Sequence, residues 1–134
     1  MKMIYVFGNG NISWENFHQL YLEPLQNFNL AECEFLMGDF NGVDTLMMEF
    51  LKDKTSHVSL LHIGEKPRYS VNTFNTKAGS WKTIGGFKTD KERDHYAIAM
   101  CTHFLAADLN SDEIRTSGTF RNIEKCLTLG KVRI

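Results

Sequence analysis

MIYVFGNGNIS, residues 3–13, is a run of strand formers that stops at two glycines and reopens on a helix cap. Met3 to Phe7 is rich in β-branched and aromatic side chains, which suit a pleated surface, and Gly8-Asn9-Gly10-Asn11 breaks the run. Ser13 is a natural N-cap, with Asn16 in the capping-box position. After it Trp14, Phe17, Leu20, Tyr21 and Leu25 recur at helical spacing. Pro24 supplies no N–H and its ring strikes the preceding turn, so the regular helix is predicted to kink or end there.

The same strand, glycine turn and helix recur along the chain. Glu34 to Met37 reads as a strand, Gly38-Asp39-Phe40-Asn41-Gly42 as a turn, and Val43 to Leu51 as a buried helix. A third strand, His57 to Ile63, leads into a loop of more than twenty residues, Glu65–Thr89, a length that compact domains usually keep for function. A helix over Asp90 to Met100, a strand over His103 to Leu109, a helix opened by Ser117-Gly118-Thr119 and a stub strand at Lys131 to Ile134 complete the order. Alternation of this kind requires parallel pairing with right-handed crossovers. The expected fold is α/β: one Rossmann-like domain over residues 1–134, with a doubly wound, mostly parallel sheet and helices on both faces. Such sheets bind ligands at the carboxyl ends of their strands. Three turns are predicted to share that edge: Gly8 to Ser13, Gly38 to Asp44 and Asn110 to Thr119.

Composition narrows the class. The chain has 134 residues, which suits a single domain able to bury a real core, and no apolar run approaches the roughly 20 residues that span a bilayer. The apolar stretch Met3 to Phe7 is too short for a secretory signal, and three cysteines without a CxxC pair argue against a disulfide framework. The expectation is a cytoplasmic protein with reduced thiols and no membrane association. The histidines, His18, His57, His62, His95 and His103, show no metal-ligand spacing, so neither a metal nor a cofactor is predicted. Net charge is −1, yet Lys66, Arg68, Lys77, Lys82 and Lys88 fall in one stretch free of Asp and Glu and interleaved with Tyr69, Phe74, Trp81 and Phe87. That mixture suits phosphates and base stacking, and the same lysines also suit a solvated loop.

The chemistry of the three turns is backbone chemistry. Glycines admit close approach, and the first N–H groups of a following helix lack partners and carry partial positive charge, so an anion can bind them. Ser117 and Thr119 add hydroxyl groups. FGNGNIS is not the dinucleotide fingerprint, because Ser13 stands at the third glycine position.

GDFNGVDTLMMEFL (38–51), RDHYAIAMCTHFLAADL (93–109) and SGTFRNIEKCLTLGK (117–131) resemble, in the same order, three segments of the SLOG superfamily. That Rossmann-like group includes the LOG phosphoribohydrolases, the DNA-processing protein DprA and the small YspA-like proteins. The last are the nearest in pattern, with a tryptophan and glycines ahead of the second segment, as Trp81 and Gly85-Gly86 stand here. The resemblance implies that Gly8, Asn9 and Gly10 line the phosphate or ribose end of a nucleotide, that Gly38, Asp39, Gly42 and Asp44 shape the second turn, and that Arg93 faces a phosphate cradled by Ser117, Gly118 and Thr119. The base would lie near Trp81 or Phe40, the basic loop would close over it, and two copies would pair through helices.

Departures from the pattern bear on catalysis. LOG enzymes carry an essential glutamate where this chain has Asn122, and an amide can hydrogen-bond a ribose but cannot serve as nucleophile or general base. The residues before Gly118 are Arg115-Thr116-Ser117 instead of the family's PGG, and Asn41 replaces an arginine of DprA-like members. The reading favours a nucleotide sensor or binding protein without an assigned catalytic residue. Its alternatives are an N-glycoside hydrolase or transferase using Asp39, Asp44, Asp108 or Asp112, and a single-stranded nucleic-acid module.

Overall fold

β1 (Lys2–Val6) lies inside the sheet, paired in parallel with β2 (Cys33–Met37) on one side and with β5 (His103–Leu105) on the other. The computed structural model describes all residues from Met1 to Ile134. β3 (Val58–Ile63), β4 (Lys82–Phe87) and β6 (Val132–Arg133) complete a sheet in which every pairing is parallel, in the order β4-β3-β2-β1-β5-β6. The chain winds outward from β1 to β4 and then returns to lay β5 and β6 on the other side of β1. The architecture is the expected α/β doubly wound one, with a topological switch point between β1 and β5.

Period-two alternation along the strands supplies two cores. Ile4, Val6, Phe35, Met37, Val58 and Leu60 face one layer, where they meet Phe17, Tyr21, Met47, Met48 and Leu51. Tyr5, Leu36 and Leu61 face the other, against Ala97, Ile98, Ile123 and Cys126. The first layer is α1 (residues 14–25) and α2 (Val43–Leu51), and the second is α3 (Asp90–Met100) and α4 (Gly118–Thr128). Both faces of a parallel sheet are thereby covered, as its strand sequences require.

α1 comprises three consecutive pieces: Trp14–Phe17, a π-helical turn His18–Leu22, and Glu23–Leu25. The break expected at Pro24 takes the form of this wider turn, in which the Glu23 N–H donates to His18 O. The helix continues one residue past the proline and then stops.

The stretch Glu65–Thr89 is not the open loop expected of it. It descends the face of α2 and buries Val71 and Ala78. After a 3₁₀ turn at Lys77–Ser80 it returns as the edge strand β4, paired to β3 with a bulge between Leu61 and Ile63. KTIGGF has little apolar alternation, and it becomes a strand because β3 offers it a ladder. β5 in turn is shorter than the predicted His103–Leu109. Beyond Leu105 side chains replace the ladder: Tyr21 Oη accepts from the Ala107 N–H, Asn9 Oδ1 accepts from the Leu109 N–H, and Arg133 donates to Ala106 O.

Candidate functional site

A cavity of ≈ 620 Å³ opens at the carboxyl ends of the strands, over the switch point. Gly8, Asn9, Gly10, Gly38, Asp44, Arg93, Ser117, Gly118, Thr119 and Asn122 all line it, so residues read from turns more than a hundred positions apart share one wall system. Asp39 and Gly42 stand just behind that wall. Gly42, at φ +81°, takes a left-handed conformation and lies so close to the Asn9 and Gly10 backbone that a side chain there would collide with it, which locks the second turn onto the first.

Trp81 stands elsewhere. It precedes β4, at the amino end of the strand, and its indole Nε1 donates to Thr55 O (2.9 Å) while the ring packs against the α1/α2 core. The expectation that it meets a base is corrected by the parallel direction of β4, which carries it to the opposite edge of the sheet. Lys66, Lys77, Lys82 and Lys88 are likewise absent from the cavity wall. Its cations are Arg93, Arg115 and Arg121.

One end of the cavity is the N-terminus of α4. Ser117 is the N-cap: its Oγ accepts from the Phe120 N–H (3.0 Å) and donates to Asp108 Oδ1 (2.7 Å). The N–H groups of Gly118 and Thr119, the first two of the helix, have no acceptor in the protein. Gly118 and Thr119 both line the cavity, and nothing lies within 4 Å of where a Cβ of Gly118 would sit. Arg115 and Arg121 add positive charge beside them. Sequence reading assigned neither arginine a contact: Arg115 comes from the loop before α4 and Arg121 from the first turn of that helix.

Asn9 lines the cavity as expected, and its side-chain amide also serves as a brace. Nδ2 donates to Thr119 Oγ1 (3.3 Å), Oδ1 accepts from Leu109 N (2.8 Å), and the residue is buried. The turn after β1 is thus tied to the loop after β5 and to α4 across the switch point.

The other end of the cavity is acidic. Arg93, almost wholly buried, pairs with Asp39 (3.2 Å), Asp90 (3.1 Å) and Asp94 (3.2 Å). Asp39 also accepts from the Arg68 backbone N–H (2.6 Å), Nε (3.2 Å) and Nη2 (2.8 Å). Burial alone would raise the Asp39 carboxyl, and the two arginines outweigh it and hold it below the ordinary carboxylate range. Asp44 receives only the Phe40 N–H (3.1 Å), and burial pushes it up to about 7 although Arg93 lies nearby.

Sequence reading missed Asp94. Its Oδ1 accepts from Tyr5 Oη (3.1 Å) and from Arg93, and its Oδ2 accepts from Asn122 Nδ2 (3.1 Å). Asn122, read as a departure that removes a carboxylate, therefore holds one from the neighbouring helix. The other candidate acids are engaged locally: Asp108 by Ser117 and the Asn110 N–H, Asp112 by the Ile114 and Arg115 N–H groups. Asp44, Asp90 and Asp94 are the carboxylates of the cavity wall: Asp44 is buried, Asp94 is oriented by Tyr5, Arg93 and Asn122, and the more exposed Asp90 pairs with Arg68 and Arg93.

No helix is long and apolar enough to cross a membrane, and no cluster of three or more His, Cys, Asp or Glu side chains has the arrangement of a metal site. Comparison of the chain with protein-family models, with curated proteins and with solved structures finds no match in any of the three, so the SLOG resemblance rests on the motifs quoted above.

Proposed function

We propose that this domain binds a nucleotide or nucleotide-derived phosphate at the switch-point cavity and acts as a sensor or binding protein. The observation that carries the reading is the pair of unpartnered N–H groups at Gly118 and Thr119, opening on the cavity beside Arg115 and Arg121. A helix N-terminus with two free donors and adjacent guanidinium groups suits a phosphate. Arg93 supports the site from within by balancing Asp39, Asp90 and Asp94.

A thermal-shift screen with nucleotides and nucleoside phosphates tests this. A ligand at a hundred times its dissociation constant stabilises the fold by about 2.7 kcal/mol. Silence across the whole panel removes the proposal.

A second reading, N-glycoside cleavage or transfer, is favoured by Asp44 and Asp94 in the same wall, one with a raised pKa and one oriented by Tyr5 and Asn122. Chromatography of a bound nucleotide after incubation separates the two: unchanged ligand supports the sensor, while free base or ribose phosphate supports the enzyme. The single-stranded nucleic-acid alternative predicts steeply salt-dependent binding; the ion pairing of Arg68 and Arg93 takes two cations out of such a surface, and the net charge of −1 disfavours it. The proposal includes a homodimer, for which exposed Leu127 and Leu129 on and after α4 offer apolar surface. It also includes a cytoplasmic setting, with which three buried free thiols are consistent.

A further inference from the structure

We infer that Phe40 is a stacking platform for a planar ring, so that the cavity selects phosphates carrying an aromatic base over sugar phosphates without one. This rests on the reading of the cavity as a nucleotide site. Four apolar residues line the cavity, Tyr5, Phe7, Phe40 and Ile114. Tyr5 and Phe7 are buried parts of the sheet core, whereas Phe40 is 45% exposed and Ile114 97% exposed. Phe40 is therefore the one aromatic ring the cavity presents with free surface.

That ring is held from several sides. Its backbone N–H donates to Asp44 Oδ2 (3.1 Å), which fixes the turn. Its edge lies against Gly10, where the position of an added Cβ would be 2.8 Å from Phe40 Cε2. The Arg68 guanidinium sits 5.4 Å from the ring centroid. Arg68 is itself locked by the Asp39 carboxylate and by Asp90 (3.1 Å). A ring already immobilised loses little freedom when a second ring settles on it, so more of the stacking energy is realised as affinity. The guanidinium is attracted to the negative π-face, leaving the ring a poorer electron source and a better partner for an electron-rich base.

The cavity joins the ring to the phosphate donors. Phe40 follows β2, and Gly118 and Thr119 open the helix after β5, so they line the same cavity from opposite sides of β1. A phosphate at Gly118 thus leaves its base near Phe40, with the exposed Ile114 on the β5 side as the opposing lip.

Isothermal titration with adenosine monophosphate, cytidine monophosphate, ribose 5-phosphate and inorganic phosphate tests the assignment on the wild-type chain and on Phe40→Leu and Phe40→Trp. Adenosine monophosphate is expected to bind at least about fivefold tighter than ribose 5-phosphate, the lower end of what one stacked base contributes, with the smaller pyrimidine ring between them. Phe40→Leu should close that gap and leave ribose 5-phosphate binding unchanged, while Phe40→Trp preserves or widens it. Equal affinity of the wild type for adenosine monophosphate and ribose 5-phosphate overturns the stacking platform and leaves the phosphate site standing. So does a Phe40→Leu variant that weakens every ligand alike. Absence of binding to all four ligands overturns the nucleotide reading itself, and the platform with it.

Discussion

Arg93 Nη1 lies 3.2 Å from Asp39 Oδ1, joining the first turn of α3 to the turn after β2 across 54 residues of sequence. The pair is buried, and Arg68 closes it from the solvent side. An arginine expected to await a phosphate is already matched by carboxylates, so it organises the cavity floor more than it supplies free charge.

Replacing Arg93 by methionine leaves the buried Asp39 with Arg68 as its remaining cation and takes the paired cation from Asp94. The expected loss is about 3–5 kcal/mol, the usual cost of removing one partner of a buried pair. Urea denaturation measures it, and a change below about 1 kcal/mol would show that Arg68 alone suffices.

Asp44 predicts an unusual pH dependence. Its folded pKa, about 7, is above its unfolded value of 3.8, so between those values the folded state holds more protons than the unfolded one. Its contribution favours folding at acid pH and declines as pH rises towards 7, by about 4 kcal/mol at most. Asp39, with a depressed pKa, acts in the opposite sense and loses its contribution as pH falls. The difference between wild type and Asp44→Asn isolates the first effect. The variant should gain relative stability from pH 5 to pH 8, and a flat difference would mean Asp44 titrates as an ordinary carboxylate.

Ser117→Ala removes the cap of α4 and the Asp108 contact together. A loss of about 1 kcal/mol is expected, with Ser117→Asn largely restoring the cap. Chemical denaturation of both variants shows whether the hydroxyl or the residue's bulk matters.

Gly118→Ala separates binding from folding. Open space surrounds the position and no left-handed backbone is required, so stability should change by less than about 0.5 kcal/mol. Phosphate ligands should nonetheless bind about tenfold more weakly, because the methyl group occupies the approach to the free N–H groups. Unchanged affinity in titration would place the anion elsewhere.

If the second reading holds, Asp94→Asn abolishes release of free base while ligand binding persists, because Tyr5 and Asn122 remain to orient the amide. Product chromatography beside titration distinguishes this from simple loss of the site.

Local sequence determined much of this protein. Met3 to Phe7 and its glycine stop, the Thr89-capped helix beginning at Asp90 and the Ser117 cap are set by neighbours within four residues, so propensity and capping chemistry reveal them. Alternating strands and helices then leave one economical topology, which is why glycine turns far apart in the chain could be assigned to one edge. Tertiary structure decided the rest. Lys82–Phe87 is a strand because β3 lies beside it, and Trp81 is remote from the cavity because that strand runs parallel. Asp39 belongs to Arg68 and Arg93, and Asp94 to Tyr5 and Asn122, through contacts 28 to 89 residues apart. The energy of such contacts comes from burial and mutual orientation, and those quantities come into being only when the chain has folded.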